Sequence, residues 1–460
     1  MPRRPPIRSD SVFERAAHAR GKSMKTASLI AVALLASAAA VHAADGDPDP
    51  SFAGGTLTSQ SVPTTQYENY DPAAVLAADG SVLVASVAGI STASTATRFA
   101  VTKFRSDGSI DSGFGEFGLA QVDFSNGAAD YPAYAHGIAA TGDGRWLVAG
   151  RVGPSYNIAL ARLRADGSLD DSYGSQGLVR LDFGGQEQLL DLQIDAQQRA
   201  WLLIERGGAR TLLRLSAGGA LDAGFASGGK LSLPNDTSAI GFTFDAQGRI
   251  LLGGINFTST TRFAMAVRRL LPDGSNDTSF GEQGLALIAP DVRAAADKLR
   301  VQADGRIVLV GTSYAGNWVG SDYGRLTVAR LLEDGRLDTS YANGGIGFVD
   351  FAGNERSRSY PGLRVALGTD GKLTIARAVW NPVAGIRLAR LLSNGQPDAS
   401  FAVQGRRTLL QNVYGSLALG QVLITPTRLL IAGTYVAAST RTFFAGAWRD
   451  GDGIFRNGLQ

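Results

Sequence analysis

The chain has 460 residues, of which 58 are glycine and none is cysteine, with 44 Lys or Arg against 41 Asp or Glu. So many glycines point to a turn-rich β protein, and the lack of cysteine excludes disulfides, cysteine metal sites and a lipid-anchored cysteine. Length alone would allow two or three domains, but an internal repeat favours one closed array.

The basic excess sits at the front. From Met24 the sequence reads MKTASLIAVALLASAAAVHA, a single Lys25, an apolar run and small residues at the end. This is the form of a secretory signal peptide with cleavage after Ala43, and its core is too short and Ala-rich to span a membrane. Residues 1–43 hold seven basic and two acidic side chains, which leaves 37 basic and 39 acidic in the remainder. A net charge near −2 by that count removes nucleic acid as a partner. The expected domains are thus a leader, 1–43, and a single repeat domain, 44–460, exported to the periplasm or released as a soluble monomer without membrane insertion.

The repeat is plainest in residues 158–184, IALARLRADGSLDDSYGSQGLVRLDFG. An alternating run ends at Asp166-Gly167, a linker carries Asp170 and Tyr173, and Gly177 starts a second alternating run. The linker aspartate recurs at 49, 111, 170, 222, 277, 338 and 398, with spacings of 52 to 62 residues. The pair before it, such as Asp107-Gly108 or Asp334-Gly335, suits a two-residue hairpin turn, in which both residues take φ > 0. A second punctuation, such as Asp143-Gly144 or Asp304-Gly305, precedes a further apolar run in each copy. In the third copy four strands are predicted near 188–195, 200–205, 210–216 and 229–234.

Four short antiparallel strands in each of seven copies are the sequence form of an all-β, seven-bladed β-propeller. An open β-helix is the structural alternative. The ends support closure: residues 55–61 read as a fourth strand with no blade of their own, and 443–448 as a third strand lacking its fourth. Pairing the N-terminal strand with the last blade would remove the free edge.

Phe52, Phe114, Tyr173, Phe225, Phe280, Tyr341 and Phe401 hold the same place in every copy, which makes them wedges between neighbouring blades. The recurring aspartate could ligate Ca²⁺, most suggestively in the run 45–49, but no copy supplies a spaced loop with a distal Glu. Its better reading is as an acceptor for linker N–H groups, paired with Lys103, Arg162, Arg214, Arg269, Arg330 or Arg390 of the third strand. His136 is the one histidine after the leader, so neither a multi-histidine metal site nor a cofactor fingerprint is visible.

The copies LARLRADGSLDDSYGSQG from Leu160, VARLLEDGRLDTSYANGG from Val328 and LARLLSNGQPDASFAVQG from Leu388 resemble the bacterial delta-60 repeat family. The resemblance implies an exported β-propeller-type repeat protein of unassigned function, and it brings no catalytic residues.

In a propeller the Asp-Gly turns share one face. The opposite face carries the connections that differ between copies, 61–71, 125–136, 312–325, 351–361 and 378–385. Variable loops on a repeated scaffold are where binding residues concentrate. The aromatic residues gather there, so Tyr70, Tyr131, Tyr134, Tyr314, Trp318, Tyr323, Tyr360 and Trp380 are the candidate ligand contacts. The expected function is binding or scaffolding through this face, with a protein, glycan or cell-envelope ligand. The alternative is a hydrolase or lyase acting on a polysaccharide, using Glu68, Asp71, Asp130, Glu187, Asp236, Asp291 or Glu355 at the central opening.

Overall fold

The strands obey the repeat: each copy supplies two apolar middle runs between a more mixed first strand and a short fourth one. The structure, a computed structural model, describes residues 46–63, 71–89, 96–128, 131–257, 262–314, 324–349, 351, 362–379, 385–409, 416–437 and 440–450. They lie in the compact unit Ala43–Gln460; the other unit, Met1–His42, is outside the described residues.

Strand β1 is Thr58–Pro63. β2–β5 are Ala73–Leu76, Val82–Gly89, Thr97–Phe104 and Leu119–Val122. Ala133–Ala140, Trp146–Val152, Asn157–Leu163 and Leu178–Leu181 form β6–β9. The third copy gives β10–β13 at Glu187–Ile194, Ala200–Arg206, Ala209–Leu215 and Lys230–Ser232, close to the predicted spans. β14–β17 are Ser238–Phe244, Ile250–Phe257, Phe263–Leu270 and Leu285–Ile288. Arg293–Val301, Ile307–Tyr314, Arg325–Leu331 and Ile346–Val349 are β18–β21. β22–β25 follow at Arg364–Leu367, Leu373–Val379, Gly385–Leu391 and Arg406–Leu409. The chain ends in β26–β28, Ser416–Ile424, Arg428–Ala437 and Thr440–Arg449.

Each set from β2 to β25 is four-stranded and antiparallel in sequence order, as in a β-propeller and unlike the parallel coils of a β-helix. β14–β17 and β18–β21 are two such sets joined by one parallel pair, Phe263 with Arg293. The last set has the order β1-β28-β27-β26 and runs in register from Thr58 opposite Ala445 to Pro63 opposite Thr440. Upstream of β1, the Asp49 N–H donates to the carbonyl of Ala447 at 3.0 Å, as the Asp170 N–H donates to Arg162 at 2.9 Å. The N-terminal segment thus reproduces for the last set the linker and fourth strand that every other set receives from its own copy.

Burial follows position in the set. β3 is buried along its whole length because other sheets cover both its faces, whereas the short outer strand β5 alternates. The seven repeat aromatics are at most 2% exposed, and each joins a core cluster built from two successive sheets. Phe52, for example, packs with Val82 and Phe104 on one side and Leu430 and Phe443 on the other.

The turns differ from the sequence expectation. In the loop after β8, the Gly167 N–H donates to Arg164 at 2.9 Å and the Arg164 N–H to Ser168 at 2.8 Å, with Gly167 at φ +84° and Asp166 outside the positive-φ region. This is a three-residue loop, a type I turn closed by a left-handed glycine, rather than a two-residue turn with φ > 0 at both positions. Asp166 is needed for its carboxylate, which accepts from the Ser168 N–H at 2.9 Å and hydroxyl at 2.7 Å. The glycine is doubly required at Gly395 (φ +84°), where a Cβ would come within 2.7 Å of the Tyr341 ring.

One arginine ties the repeat together. Arg162 Nε donates to Asp170 at 2.7 Å, Nη2 to Ser172 at 3.0 Å and Nη1 to the carbonyl of Ala217 in the next copy at 2.7 Å. Its guanidinium stands 4.6 Å from the centroid of Tyr173. The other predicted pairs form likewise, from Arg269 with Asp277 at 2.7 Å to Lys103 with Asp111 at 3.1 Å. Where the third strand of the last set offers Ala447 instead of a cation, Arg428 on β27 reaches Asp49 at 2.6 Å.

These aspartates make stability acid-sensitive. Burial opposes ionisation of Asp170, but hydrogen bonds from Ser172 and the charge of Arg162 outweigh it and hold the carboxyl below its ordinary value. Asp49, Asp111, Asp222, Asp277, Asp338 and Asp398 are depressed in the same way. In the unfolded chain they titrate near about 3.9. Their contribution is therefore complete above that value and is lost as pH falls through the lower folded-state values. Thermal melts are expected to shift to lower temperature between pH 5 and about 3; equal melts at both would contradict this account.

Candidate functional site

The first strand of each set is where the copies depart from one another. A cavity of about 1010 Å³ is lined by residues of β2, β6, β10, β14, β18, β22 and β26. Five of these strands carry a register shift at the same point, which places His136, Leu190, Ile240, Asp297 and Gly420 at the irregularity. Bulges of this kind re-aim a side chain, and they recur next to functional sites. The residue that follows is Gly137, Asp191, Gly241, Lys298 or Gln421, and register aligns Ala73 and Arg364 with them.

Ionisable groups occupy one part of this wall. Asp191 accepts N–H bonds from Leu192 at 2.9 Å and from Phe242 of the next sheet at 3.0 Å, yet burial dominates and raises its carboxyl. Burial also raises Asp297, to about 6, although Lys298 and the Thr312 hydroxyl at 3.3 Å oppose the shift. Lys298 is lowered to about 8, first by burial and then by the charge of Arg364. Arg300 donates to the carbonyls of Leu299 at 2.8 Å and Val365 at 2.9 Å, and Arg364 to those of Gly420 at 2.8 Å and Leu363 at 3.0 Å. Elsewhere on the wall, burial and neighbouring Arg151 take His136 down to about 4, so its imidazole is neutral at physiological pH.

The predicted site residues are placed unevenly. Tyr70, Trp318, Tyr323, Tyr360 and Trp380 lie outside the described residues. Tyr131 is partly buried with Arg180 at 5.9 Å from its ring centroid, and Tyr314 is partly buried at the end of β19. Tyr134 is 4% exposed on β6, where its ring lies 6.2 Å from Tyr156 and 5.5 Å from the Arg151 guanidinium. Arg151 also stands 4.7 Å from Tyr156 and lines the cavity, so this cation and its two rings connect the aromatic group to the cavity wall.

Of the carboxylates expected at the central opening, Asp71 lines the cavity. Asp236 pairs instead with Arg268 at 2.5 Å, Asp291 with Arg325 at 2.7 Å, and Glu187 is 1% exposed beside the cavity-lining Gln188. Glu68, Asp130 and Glu355 lie outside the described residues. Among the described residues no group of three or more His, Asp or Glu could hold a metal ion.

Asp191, Lys298, Arg300 and Arg364 were missed by the sequence reading. The signal was present: in the four remaining copies the position shared by Asp191, Lys298 and Arg364 holds Ala73, Gly137, Gly241 or Gln421, and that of Arg300 is uncharged in every other copy. Reading the copies for what they share hid where they differ.

Solved structures similar to this chain have varied roles and low identity. A catalytically inactive virginiamycin B lyase from Staphylococcus aureus is 11% identical, with a TM-score of 0.46, over 85% of this chain and 99% of that one. Puromycin hydrolase is 12% identical with a TM-score of 0.46, over 82% of this chain and 52% of that one. The β-propeller domain of Nup133 from Vanderwaltozyma polyspora is 8% identical with a TM-score of 0.46, over 85% and 97% of the two chains. No curated protein matches in sequence. Residues 77–114, 141–173, 248–280, 302–341 and 368–401 match a family described as a domain of unknown function (DUF5122), β-propeller. These matches support a β-propeller repeat family.

Proposed function

We propose that the chain is an exported binding or scaffold protein, a seven-bladed β-propeller closed by β1 on β28. It would engage a protein, glycan or cell-envelope ligand through the face that carries its variable connections. The closure reading rests on the register of β1 with β28 and on the Asp49 linker that docks there. The binding reading rests on one observation: the chemistry of the repeat is consumed inside the scaffold. The Asp, Arg and aromatic of each copy are committed to one another, as Asp170, Arg162 and Tyr173 are, which leaves the non-repeating surfaces for a partner.

The leader reading predicts a mature protein that starts at Ala44, to be checked by N-terminal sequencing of the exported form. Residues 44–460 are expected to retain a ligand in pull-downs from envelope extract or on a glycan array. The combined variant Tyr314→Ala, Trp318→Ala, Trp380→Ala is expected to weaken retention about tenfold or more, since aromatic anchors carry most of the energy of such surfaces. Undiminished retention would remove these residues from the site, and turnover of a polysaccharide by the wild type would favour the enzyme.

A further inference from the structure

Lys298 and Arg300 on β18 and Arg364 on β22 bring three cations to neighbouring strands of the cavity wall. Arg300 Nη2 reaches the carbonyl of Val365 on β22 at 2.9 Å, so the strands share this part of the wall. Arg364 holds on β22 the register position that Lys298 holds on β18, opposite Ala376 and Val310 respectively. The aligned residues of the other sheets are Ala73, Gly137, Asp191, Gly241 and Gln421. The positive charge is therefore not a device that the scaffold repeats.

Counter-charge from the chain is incomplete. The Asp191 carboxylate already accepts two backbone N–H groups, Asp297 accepts from Thr312, and Asp71 approaches Arg364 no closer than 4.0 Å. The Lys298 ammonium has no hydrogen bond and no ion pair within 4.0 Å among the described residues. Burial is the larger cost, and the like charges of Arg364 and Arg300 add to it; against the pull of Asp191 and Asp297, together they hold the Lys298 ammonium down to about 8. An anion between the cations would relieve both penalties.

The patch is also fixed in advance. Arg300 and Arg364 are each pinned by two backbone carbonyls, and a guanidinium has five N–H donors, so donors remain for a ligand in a fixed orientation. Arginine donors suit planar or tetrahedral oxyanions, and a lysine supplies a point charge beside them. We propose that Lys298, Arg300 and Arg364 form a binding site for an oxyanion group, carboxylate or phosphate, carried by a small ligand held in the open cavity of about 1010 Å³.

The test uses inorganic phosphate and succinate as probes, with sodium chloride at matched ionic strength as reference, read by titration calorimetry and thermal melts. Wild type is expected to show saturable binding and a raised melting temperature with at least one probe; the effective probe tells phosphate from carboxylate. Lys298→Met should weaken that binding about tenfold or more, as loss of a charge-assisted contact does. Lys298→Arg should retain it. Without probe, Lys298→Met should melt at or above the wild-type temperature, because burial and like charges together outweigh the pull of Asp191 and Asp297 on the ammonium, and no ion pair within 4.0 Å is broken. Saturation equal in Lys298→Met and wild type, or no effect of either probe beyond that of chloride, would overturn the proposal.

Discussion

Deleting residues 46–63 is expected to yield protein that aggregates or loses its cooperative melt. The segment supplies β1, whose six residues pair with β28 from Thr440 to Ala445, and the linker that docks Asp49 onto Arg428. Phe52 and Val62 are at most 4% exposed, and losing their burial alone removes about 3–6 kcal/mol. That is comparable with the total stability of an ordinary domain, about 5–15 kcal/mol. β28 would also be left as a long apolar edge, buried at Phe443, Phe444 and Ala445 in the intact chain and open to pairing with another molecule once β1 is gone. Size-exclusion chromatography and a melt of the truncated chain check this. A stable monomer with an unshifted melt would count against closure through β1.

Phe280→Ala is expected to destabilise the protein by about 3–5 kcal/mol, the usual cost of emptying a fully buried phenylalanine site. The ring is fully buried among Val267, Leu309 and Leu331 of two successive sheets, with the Arg269 guanidinium 4.5 Å from its centroid. The loss would not stay local. Gly335 of the following copy approaches the ring so closely that a Cβ there would lie 3.0 Å from it, and Arg269 bonds the carbonyl of Glu333 at 2.5 Å. Removing the ring therefore loosens the contact between copies as well as a core. Phe280→Leu, which fills most of the volume, should recover much of the loss. Chemical denaturation of both variants is the measurement, and an unchanged midpoint for Phe280→Ala would show that the wedge does not hold neighbouring sheets together.

Much of the scaffold was legible because it repeats. An aromatic seen once has several readings, but seven at the same place, each three residues after an aspartate and six of them downstream of a cation, define a structural device. The observed pairs of Asp170 with Arg162 and of Asp338 with Arg330 are those that the copies predict. The turn type was not legible from the Asp-Gly pair, because that pair serves two loop geometries. What separates them is whether the aspartate lies in the left-handed region or uses its carboxylate to cap the next N–H, as Asp166 does with Ser168.

The candidate sites show where sequence stops. Strand positions, wedges, Asp–Arg pairs and the unmatched fourth strand at the N-terminus follow from the chain itself, because they depend on local periodicity and on residues that recur. Tertiary structure alone decided that Asp191, Lys298, Arg300 and Arg364 share one cavity wall. Residues as far apart as 191 and 364 meet there because each sits on the first strand of a different sheet, and a β-propeller gathers those strands around its centre. It likewise decided that Tyr134 points into packing with Tyr156 and Arg151. The side on which a strand residue emerges depends on register and bulges, and these are set by the neighbouring strand rather than by the residue's own sequence.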